Sequence, residues 1–145
     1  MMTIRKIKQD EIAEASKLVL SVFMEYEAPE YSEEGIRHFQ EFVQNAASTN
    51  ELDIYAAFHK QEIVGVIATR NNGKHISLFF VNSAFHNKGI GRKLFDIIKK
   101  NCPGEAITVN SSPYAVPIYK RLGFVETDTE QIADGIRFTP MIFQK

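Results

Sequence analysis

The sequence has a single cysteine, Cys102. One cysteine cannot form an intramolecular disulfide, and it cannot supply the ligands of a cysteine-based zinc site. Structural stability must therefore come from a hydrophobic core, and we predict no metal site. A chain of 145 residues that is 44% hydrophobic can bury such a core without covalent support.

Long apolar runs and an excess of charge are also missing. No stretch approaches the roughly 20 apolar residues that span a bilayer, and the start, MMTIRKIKQDEI, lacks the apolar centre of a signal peptide. The formal net charge of -1 argues against nucleic acid or an anionic membrane as a partner. These absences predict a soluble, cytoplasmic protein. We separately expect a monomer or a homodimer.

No repeat, linker or low-complexity segment divides residues 1–145, so we expect one domain. Residues 3–7 are a candidate strand. Asp10 and Ser32 are candidate N-caps of two helices. Apolar residues recur at helical spacing in both helices, at Ile12, Ala15, Val19, Val22 and Phe23 in the first and at Ile36, Phe39 and Val43 in the second.

Strands dominate the middle of the chain. Residues 52–59 and 62–70 alternate or are rich in β-branched residues, with Lys60-Gln61 as the turn between them. Asn72-Gly73 is a strong hairpin signal, because both turn positions need a positive φ. HISLFFV, at 75–81, is apolar on both faces and predicts a central strand.

The last third predicts two helices and three strands. The third helix places Ile90, Leu94 and Ile98 on one face, and 106–110 is a buried strand. A short helix opens at Ser112-Pro113 and ends at Gly123, with Pro117 in its first turn. Two final strands are predicted at 124–128 and 135–143, where Pro140 marks a bulge or an edge.

The stretch FHNKGIGRKL, at 85–94, joins the predicted central strand to the third helix. Unpaired N–H groups and the helix dipole form an anion site at such a point, and glycines let a phosphate approach the backbone. Lys88, Arg92 and Lys93 add positive charge. The stretch matches neither a P-loop nor the dinucleotide fingerprint, which needs a glycine where Leu94 stands. Alone, it fits a plain connection as well as a phosphate site.

A second constellation, VNSSPYAVPIYKRLGF, lies at 109–124 and places Asn110 at a strand end and Tyr119 on the next helix. Together the two stretches resemble the GCN5-related N-acetyltransferase (GNAT) family. The family pattern is [QR]-x-x-G-x-[GA], a strand ending in Asn, then A-x-x-x-Y-x-x-x-G-F. Here it reads H-N-K-G-I-G at 86–91, Asn110, and Ala115 through Tyr119 to Gly123-Phe124. His86 replaces the usual Gln or Arg, and the order of elements fits across essentially the whole chain.

The resemblance implies a fold. It is a single-domain α/β fold with four helices and a mixed, mostly antiparallel central sheet of about seven strands. The fourth and fifth strands, here HISLFFV and AITVN, splay apart. Acetyl-CoA lies in the resulting gap in the family, so acetyl-CoA is the expected cofactor.

The resemblance also implies cofactor contacts. The backbone of Phe80 and Val81 would pair with the pantetheine arm, and Asn110 would reach its amide region. The remaining contacts are of two kinds. The phosphate turn and the start of the third helix supply His86, Asn87, Lys88, Gly89, Ile90, Gly91 and Arg92, and the second motif supplies Ala115 and Tyr119.

The implied reaction is direct attack of an amine on the thioester. The Val81 N–H would face the thioester oxygen, and Tyr119 matches the family's general acid. A phenol has a pKa of ~10 and a thiol ~8.5, so a strong hydrogen bond to the leaving sulfur can replace full proton transfer. The alternative for Tyr119 is a half-buried core tyrosine.

The general base stays open at this stage. Many family members carry a carboxylate on the fourth strand, and HISLFFV has none. His75 or Ser77 could act through water, as could Glu25 or Glu27. For His75, a surface histidine at a strand end is the favoured interpretation.

The stretch FMEYEAPEYSEE, at 23–34, has five glutamates and no cation. It falls where the family's first helices border the acceptor pocket, so it would attract a cationic amine or a peptide N-terminus. Tyr26 and Tyr31 are candidate pocket walls. A solvated loop between helices explains the same composition.

The sequence therefore predicts an acetyl-CoA-dependent N-acetyltransferase that acts on a primary amine of a small molecule or a peptide. The alternative is a non-catalytic CoA-binding regulatory module, for which the missing strand carboxylate leaves room, whereas the presence of Tyr119 and Asn110 favours the enzyme. A generic interaction domain without a cofactor would require both motifs to be accidental.

Overall fold

The computed structural model describes residues 2–45 and 51–145. Short 3-10 turns at Gln9–Glu11, Ala28–Glu30 and Ser83–Phe85 connect some of the elements. The helices and strands, in chain order, are β1 (Met2–Lys6), α1 (Ile12–Tyr26), α2 (Glu33–Gln44), β2 (Asp53–His59), β3 (Glu62–Arg70), β4 (His75–Val81), α3 (Ile90–Asn101), β5 (Ala106–Ser111), α4 (Val116–Leu122), β6 (Val125–Glu126), β7 (Gln131–Ala133) and β8 (Ile136–Gln144).

The strands form one mixed sheet in the order β1-β2-β3-β4-β5-β8-β6, with β7 paired to β8. Every neighbouring pair is antiparallel except β4 and β5. The predicted α/β fold with a mostly antiparallel sheet is confirmed, and β4 is central as expected. The short β7 is an eighth strand that the sequence did not predict.

Left-handed residues build the two predicted hairpin turns. Lys60 and Gln61 have φ values of 52° and 69° and join β2 to β3. Asn71, Asn72 and Gly73 are left-handed in succession between β3 and β4. Asparagine and glycine tolerate this region best, which explains why the second turn is so legible in the sequence.

The pairing of β4 with β5 is short. Only His75 with Thr108 and Ile76 with Val109 are partners across the two strands. On the other side of β4, Thr69 faces Ile76 and Ala68 faces Leu78, so Ser77 is an extra residue without a partner on β3. A bulge of this kind bends a strand and increases its twist. From Ser77 onward the two strands separate, which is the predicted splay.

Two buried clusters lie on opposite faces of the sheet. On one face, α1 and α2 contribute Val19, Phe23 and Val43, and Phe23 stacks on Phe39 with 4.0 Å between ring centroids. On the other face, α3 and the sheet bury Leu94, Phe95, Ile107, Phe124 and Met141. Burying side chains of this size stabilises the fold by roughly 1.5–3 kcal/mol each. The sheet is thereby fixed on both faces around the gap.

Some helix starts differ from the sequence-based expectations. Asp10 does not cap α1. Instead, the Glu11 carboxylate accepts the Lys8 N–H at 2.8 Å and pairs with Arg5. The fourth helix starts at Val116 rather than at 112–113, because the Ser112 hydroxyl accepts the Ala115 N–H and forms a turn ahead of it.

Two other local predictions are confirmed and a third is not. Ser32 caps α2 by accepting the Gly35 N–H at 3.1 Å, and Pro117 lies in the first turn of α4. The expectation of a bulge or an edge at Pro140 is wrong: Pro140 lies inside β8, in regular register opposite Asn110, where the partner on the other side changes from β7 to β6. That break in pairing accommodates a residue without an N–H. Among the described residues, no helix is both long and apolar enough to cross a bilayer.

Candidate functional site

Two cavities meet in the gap between β4 and β5. The turn cavity, of about 220 Å³, lies against the glycine-rich turn and α4. The α2 cavity, of about 340 Å³, lies between α2, β4, β5 and the hairpin of β7 and β8. They share a wall of five residues, Glu27, Phe79, Phe80, Ala115 and Tyr119.

The peptide groups of β4 alternate between β3 and the gap. The Asn82 N–H donates to the Val64 carbonyl at 2.8 Å, and Phe80 faces Val66 in the same register. Because paired peptide groups recur at every second residue of an antiparallel ladder, Phe80 also bonds to β3, and the groups of Phe79 and Val81 point into the gap.

This register corrects one expectation. The Phe80 backbone is not free to pair with a ligand, although its side chain lines both cavities. Phe79 takes its place beside Val81. The sequence could not reveal this, since the alternation depends on the bulge at Ser77.

The glycine-rich turn opens onto the turn cavity. Asn87 and Gly89 are left-handed, with φ of 63° and 79°, and Gly89 is the N-cap of α3 without a side-chain cap. A Cβ on Gly89 would meet nothing within 4 Å, so the backbone there faces open space. A helix start with uncapped N–H groups, an open approach and a cavity beside it suits an anion.

Cations surround the turn unequally. Lys88 and Arg92 are exposed, and neither is among the described residues that line the turn cavity. The Arg92 guanidinium donates to the Arg121 carbonyl at 3.0 Å, whereas Arg121 itself lines the cavity. Arg121 was missed in the sequence because it belongs to neither motif position and is placed by the packing of α4.

The His86 side chain is hydrogen-bonded to the end of β4. Its Nε2 donates to the Val81 carbonyl at 2.7 Å, and its ring packs against Tyr26 with 5.2 Å between centroids. Tyr26 also packs against Tyr114. Tyr26 is therefore on the turn side, not among the described residues of the α2 cavity where a pocket wall was expected.

Tyr119 is buried in the shared wall, 6% exposed. Its ring packs against Phe79 and Phe124. Burial raises the pKa of the Tyr119 phenol well above its usual range, and the nearby Glu27 and Tyr31 raise it further. The phenol therefore stays protonated at neutral pH and can act as a hydrogen-bond donor.

Glu27 is the acidic group of the shared wall. Burial raises the pKa of its carboxyl to about 7, opposed by a hydrogen bond from Ser112 and assisted by the charge of Glu30. A carboxyl with a pKa near the ambient pH is suited to accept a proton. Glu25, two residues earlier on the helix, is exposed and borders a separate groove.

Of the other predicted site residues, some line the α2 cavity and one lies outside both cavities. Tyr31 and Ser77 line the α2 cavity, and the buried Ser77 hydroxyl has no hydrogen-bond partner among the described residues. Asn110 also lines that cavity. His75 lies outside both linings, where its Nδ1 contacts the Thr108 hydroxyl at 2.8 Å, and burial lowers its pKa to about 4. It is not placed to act as the base.

Tertiary structure adds lining residues that no local pattern indicated. The lining of the α2 cavity also includes Phe42 and His38 from α2, Ser111 and Ser112 at the end of β5, and Asp134 and Ile136 from the hairpin. The hairpin is distant in sequence from both motifs. Its place in the wall follows only from the pairing of β7 with β8 and from the docking of the hairpin on α2.

Known proteins share this fold. A family model for an acetyltransferase (GNAT) domain matches residues 27–145. No curated protein sequence matches the chain. The fold is similar to that of a GCN5-related N-acetyltransferase from Rhodopseudomonas palustris, with a TM-score of 0.85 and 18% identity over 99% of this chain and 95% of the other.

Two further solved structures share the fold. A GNAT-family acetyltransferase from Staphylococcus aureus Mu50 has a TM-score of 0.76 and 19% identity over 99% of each chain. A PaiA N-acetyltransferase from Thermoplasma acidophilum, solved in complex with coenzyme A, has a TM-score of 0.72 and 19% identity over 100% of this chain and 99% of the other.

The raised pKa of Glu27 predicts a pH-dependent change in stability. Its pKa is about 7 in the folded protein against 4.5 for the free group. The folded state binds this proton more tightly, so folding loses stability as the pH rises from 4.5 to 7. Glu27→Gln removes that loss. In urea unfolding, the free energy of unfolding of the variant relative to that of the wild type should increase by on the order of 3 kcal/mol from about pH 4 to about pH 8.

Glu25→Gln is the matched control, because the Glu25 side chain is exposed on the same helix. We expect its unfolding curve to follow that of the wild type at each pH. If the unfolding curve of Glu27→Gln also followed that of the wild type across this range, the assignment of a raised pKa to Glu27 would be wrong.

Proposed function

Because the chain belongs to the GNAT acetyltransferase family, we propose that it is an acetyl-CoA-dependent N-acetyltransferase that acetylates a primary amine of a small molecule or a peptide N-terminus. Acetyl-CoA is the cofactor of this family. One observation carries the proposal. The gap between β4 and β5 joins two cavities through a wall that holds a proton acceptor, Glu27, and a proton donor, Tyr119.

The residues of the turn cavity fit the phosphates of the cofactor. The N–H groups at the start of α3, from Asn87 to Arg92, include uncapped donors, and Gly89 leaves the approach open. Arg121 lines the cavity and adds a positive charge. A cradle of backbone donors beside a cation binds phosphate without needing a longer glycine motif.

The gap-facing peptide groups of β4 suit the rest of the cofactor. Acetyl-CoA supplies an acetyl group activated as a thioester. The N–H groups of Phe79 and Val81 are available as donors, and His86 holds the Val81 carbonyl in place. We assign the contact with the thioester oxygen to one of these two N–H groups, because both face the gap. A fixed donor at a developing negative charge typically contributes roughly 2.7–4 kcal/mol.

Glu27 is the general base in this proposal. A lysine-like ammonium costs roughly 4.6 kcal/mol to deprotonate at pH 7, so an acceptor amine needs a nearby base. The Glu27 carboxyl has a pKa of about 7 and lines the α2 cavity, which we assign to the acceptor. It replaces the strand carboxylate that the sequence lacks.

Tyr119 is the general acid. Its phenol holds a proton at neutral pH because burial raises its pKa. For the same reason, full transfer of that proton to a thiolate is uphill, and a hydrogen bond from the Tyr119 Oη to the leaving sulfur is sufficient. We retain from the sequence the predictions that residues 1–145 form one domain and that the protein acts in the cytoplasm as a monomer or homodimer.

Tyr119→Phe should lower turnover with little change in acetyl-CoA affinity, because the variant loses the donor and keeps the ring that packs on Phe79 and Phe124. We expect kcat to fall by roughly 100-fold or more. Thiol release from acetyl-CoA, measured with a panel of amines and short peptides, reports turnover, and calorimetry reports affinity. An equal loss of turnover and affinity would contradict the acid role.

Glu27→Gln should remove the dependence of turnover on a group that titrates near pH 7. The wild-type kcat should rise with pH through about 7, since the base must be ionised, and the residual kcat of the variant should lack that inflection. Glu25→Gln, on the exposed face, should keep the wild-type profile. An inflection that persisted in Glu27→Gln would assign the base to another group.

Gly89→Glu should weaken acetyl-CoA binding by placing a carboxylate where we expect phosphate. Any side chain at Gly89 is strained by its φ of 79°, so Gly89→Gln is the control of equal size and equal strain. We expect affinity by calorimetry to fall about tenfold or more further in the Glu variant than in the Gln variant. Equal affinities in the two folded variants would rule out the phosphate cradle.

A wild type that bound acetyl-CoA but released no thiol with any amine or peptide would contradict the proposed enzyme. The non-catalytic CoA-binding module would then be the better description. The Gly89 variants separate that case from a chain that does not bind the cofactor at all.

A further inference from the structure

The charges around the α2 cavity restrict the acceptor. Glu27 and Asp134 are both in its lining, and no lysine or arginine occurs among the described residues that line it. The one basic ring, His38, is exposed. A carboxylate on the acceptor would therefore enter a site of like charge without a cation to pair with it, whereas an ammonium would be attracted.

The α2 side and the hairpin offer apolar surface to the acceptor, whereas Ser77, Asn110, Ser111 and Ser112 place polar groups on the β4 and β5 side. Phe39 and Phe42 contribute aromatic rings from α2, and Ile136 contributes an aliphatic side chain from the hairpin. At about 340 Å³, the cavity is near the lower end of the roughly 300–1,000 Å³ of ligand pockets. Its size and lining suit a small molecule with a compact apolar part.

The hairpin of β7 and β8 is docked tightly on the start of α2. A Cβ on Gly35 would overlap the Gly135 carbonyl oxygen, and a Cβ on Gly135 would overlap the Ser32 hydroxyl. The Ser32 hydroxyl donates to the same Gly135 carbonyl at 3.3 Å. Only glycine allows the two backbones to approach this closely.

A second tether holds the same hairpin. The Arg137 guanidinium donates to the Glu30 carbonyl at 3.4 Å and pairs with Glu130. Asp134 and Ile136, the two hairpin residues in the cavity wall, flank Gly135. Docking at Gly35 therefore fixes the position of that wall.

We propose that the acceptor is a small primary amine with a compact apolar body and no carboxylate, and that the docked hairpin sets its upper size. This inference rests on the proposed N-acetyltransferase function. It narrows that function to one chemical class and excludes amino acids and peptide side chains presented by a folded protein.

Three probes that share one aromatic body test the charge requirement. They are 2-phenylethylamine, phenylalanine and phenylalanine methyl ester, assayed by thiol release from acetyl-CoA with the wild type. The three amines differ in pKa, because the carboxylate of phenylalanine keeps its α-amine close to an alkylamine and esterification lowers it, so kcat/KM is compared per unprotonated amine. We expect kcat/KM for 2-phenylethylamine to exceed that for phenylalanine about tenfold or more, and the ester to recover most of the loss.

Gly35→Ala tests the size limit, because the added methyl group displaces the hairpin from α2. The kcat/KM ratio of 2-phenylethylamine to 2-(4-biphenylyl)ethylamine should fall about tenfold in the variant. Hydrogen exchange at the amides of β7 should become faster, which is a readout independent of activity. Gly104→Ala is the matched control, since its methyl group meets only the flexible Lys74 side chain, at 3.3 Å, and leaves the ratio unchanged.

Each result bears on a separate statement. Phenylalanine acetylated as well as 2-phenylethylamine would overturn the acceptor class and leave the N-acetyltransferase intact. If acetyl-CoA binds but none of the amines supports thiol release, the proposed function and the inference are both overturned. If hydrogen exchange shows a loosened hairpin but the kcat/KM ratio of the two amines is unchanged, the hairpin does not set the upper size of the acceptor. If Gly35→Ala does not fold, Arg137→Met removes the tether to Glu30 and takes its place in the same assay.

Discussion

The bulge at Ser77 is the constraint on which the rest of the site depends. One extra residue in β4 ends its pairing with β5 after Ile76, while the pairing with β3 continues. The same residue sets which peptide groups face β3 and which face the gap. At the same point the parallel pairing of β4 with β5 stops, which leaves a gap in the centre of the sheet. The two cavities, the gap-facing N–H groups of Phe79 and Val81 and the access to Tyr119 all lie along this interruption.

An open gap in the middle of a sheet has a cost, which the packing on either side offsets. The buried Ser77 hydroxyl has no partner among the described residues, and such a group costs roughly 1–3 kcal/mol. Phe23 and Phe39 hold one face, and Phe95 and Phe124 hold the other. Because two separate clusters support the sheet, the polar groups between them can stay unpaired until a ligand binds.

The features that sequence predicted are those set by neighbouring residues. Strand alternation, the Asn72-Gly73 turn and the cap at Ser32 depend on local chemistry, and each is found where expected. The family motifs similarly located the glycine-rich turn and Tyr119. Phe80 was assigned wrongly because peptide direction depends on a bulge that no residue type marks. Arg121 and Ile136 were missed because elements distant in sequence bring them into the cavity walls.

Glu27 shows how the fold resolves a choice that the sequence left open. Residues two apart on a helix point in different directions, so the end of α1 can turn only one of Glu25 and Glu27 toward the gap. Glu27 follows the last residue of α1, where the negative end of the helix dipole also disfavours an ionised carboxyl. Burial and this position both favour a proton on Glu27 at the boundary of the two cavities. The end of α1 can thus supply the proton acceptor that β4 lacks, because α1 and β4 border the same gap.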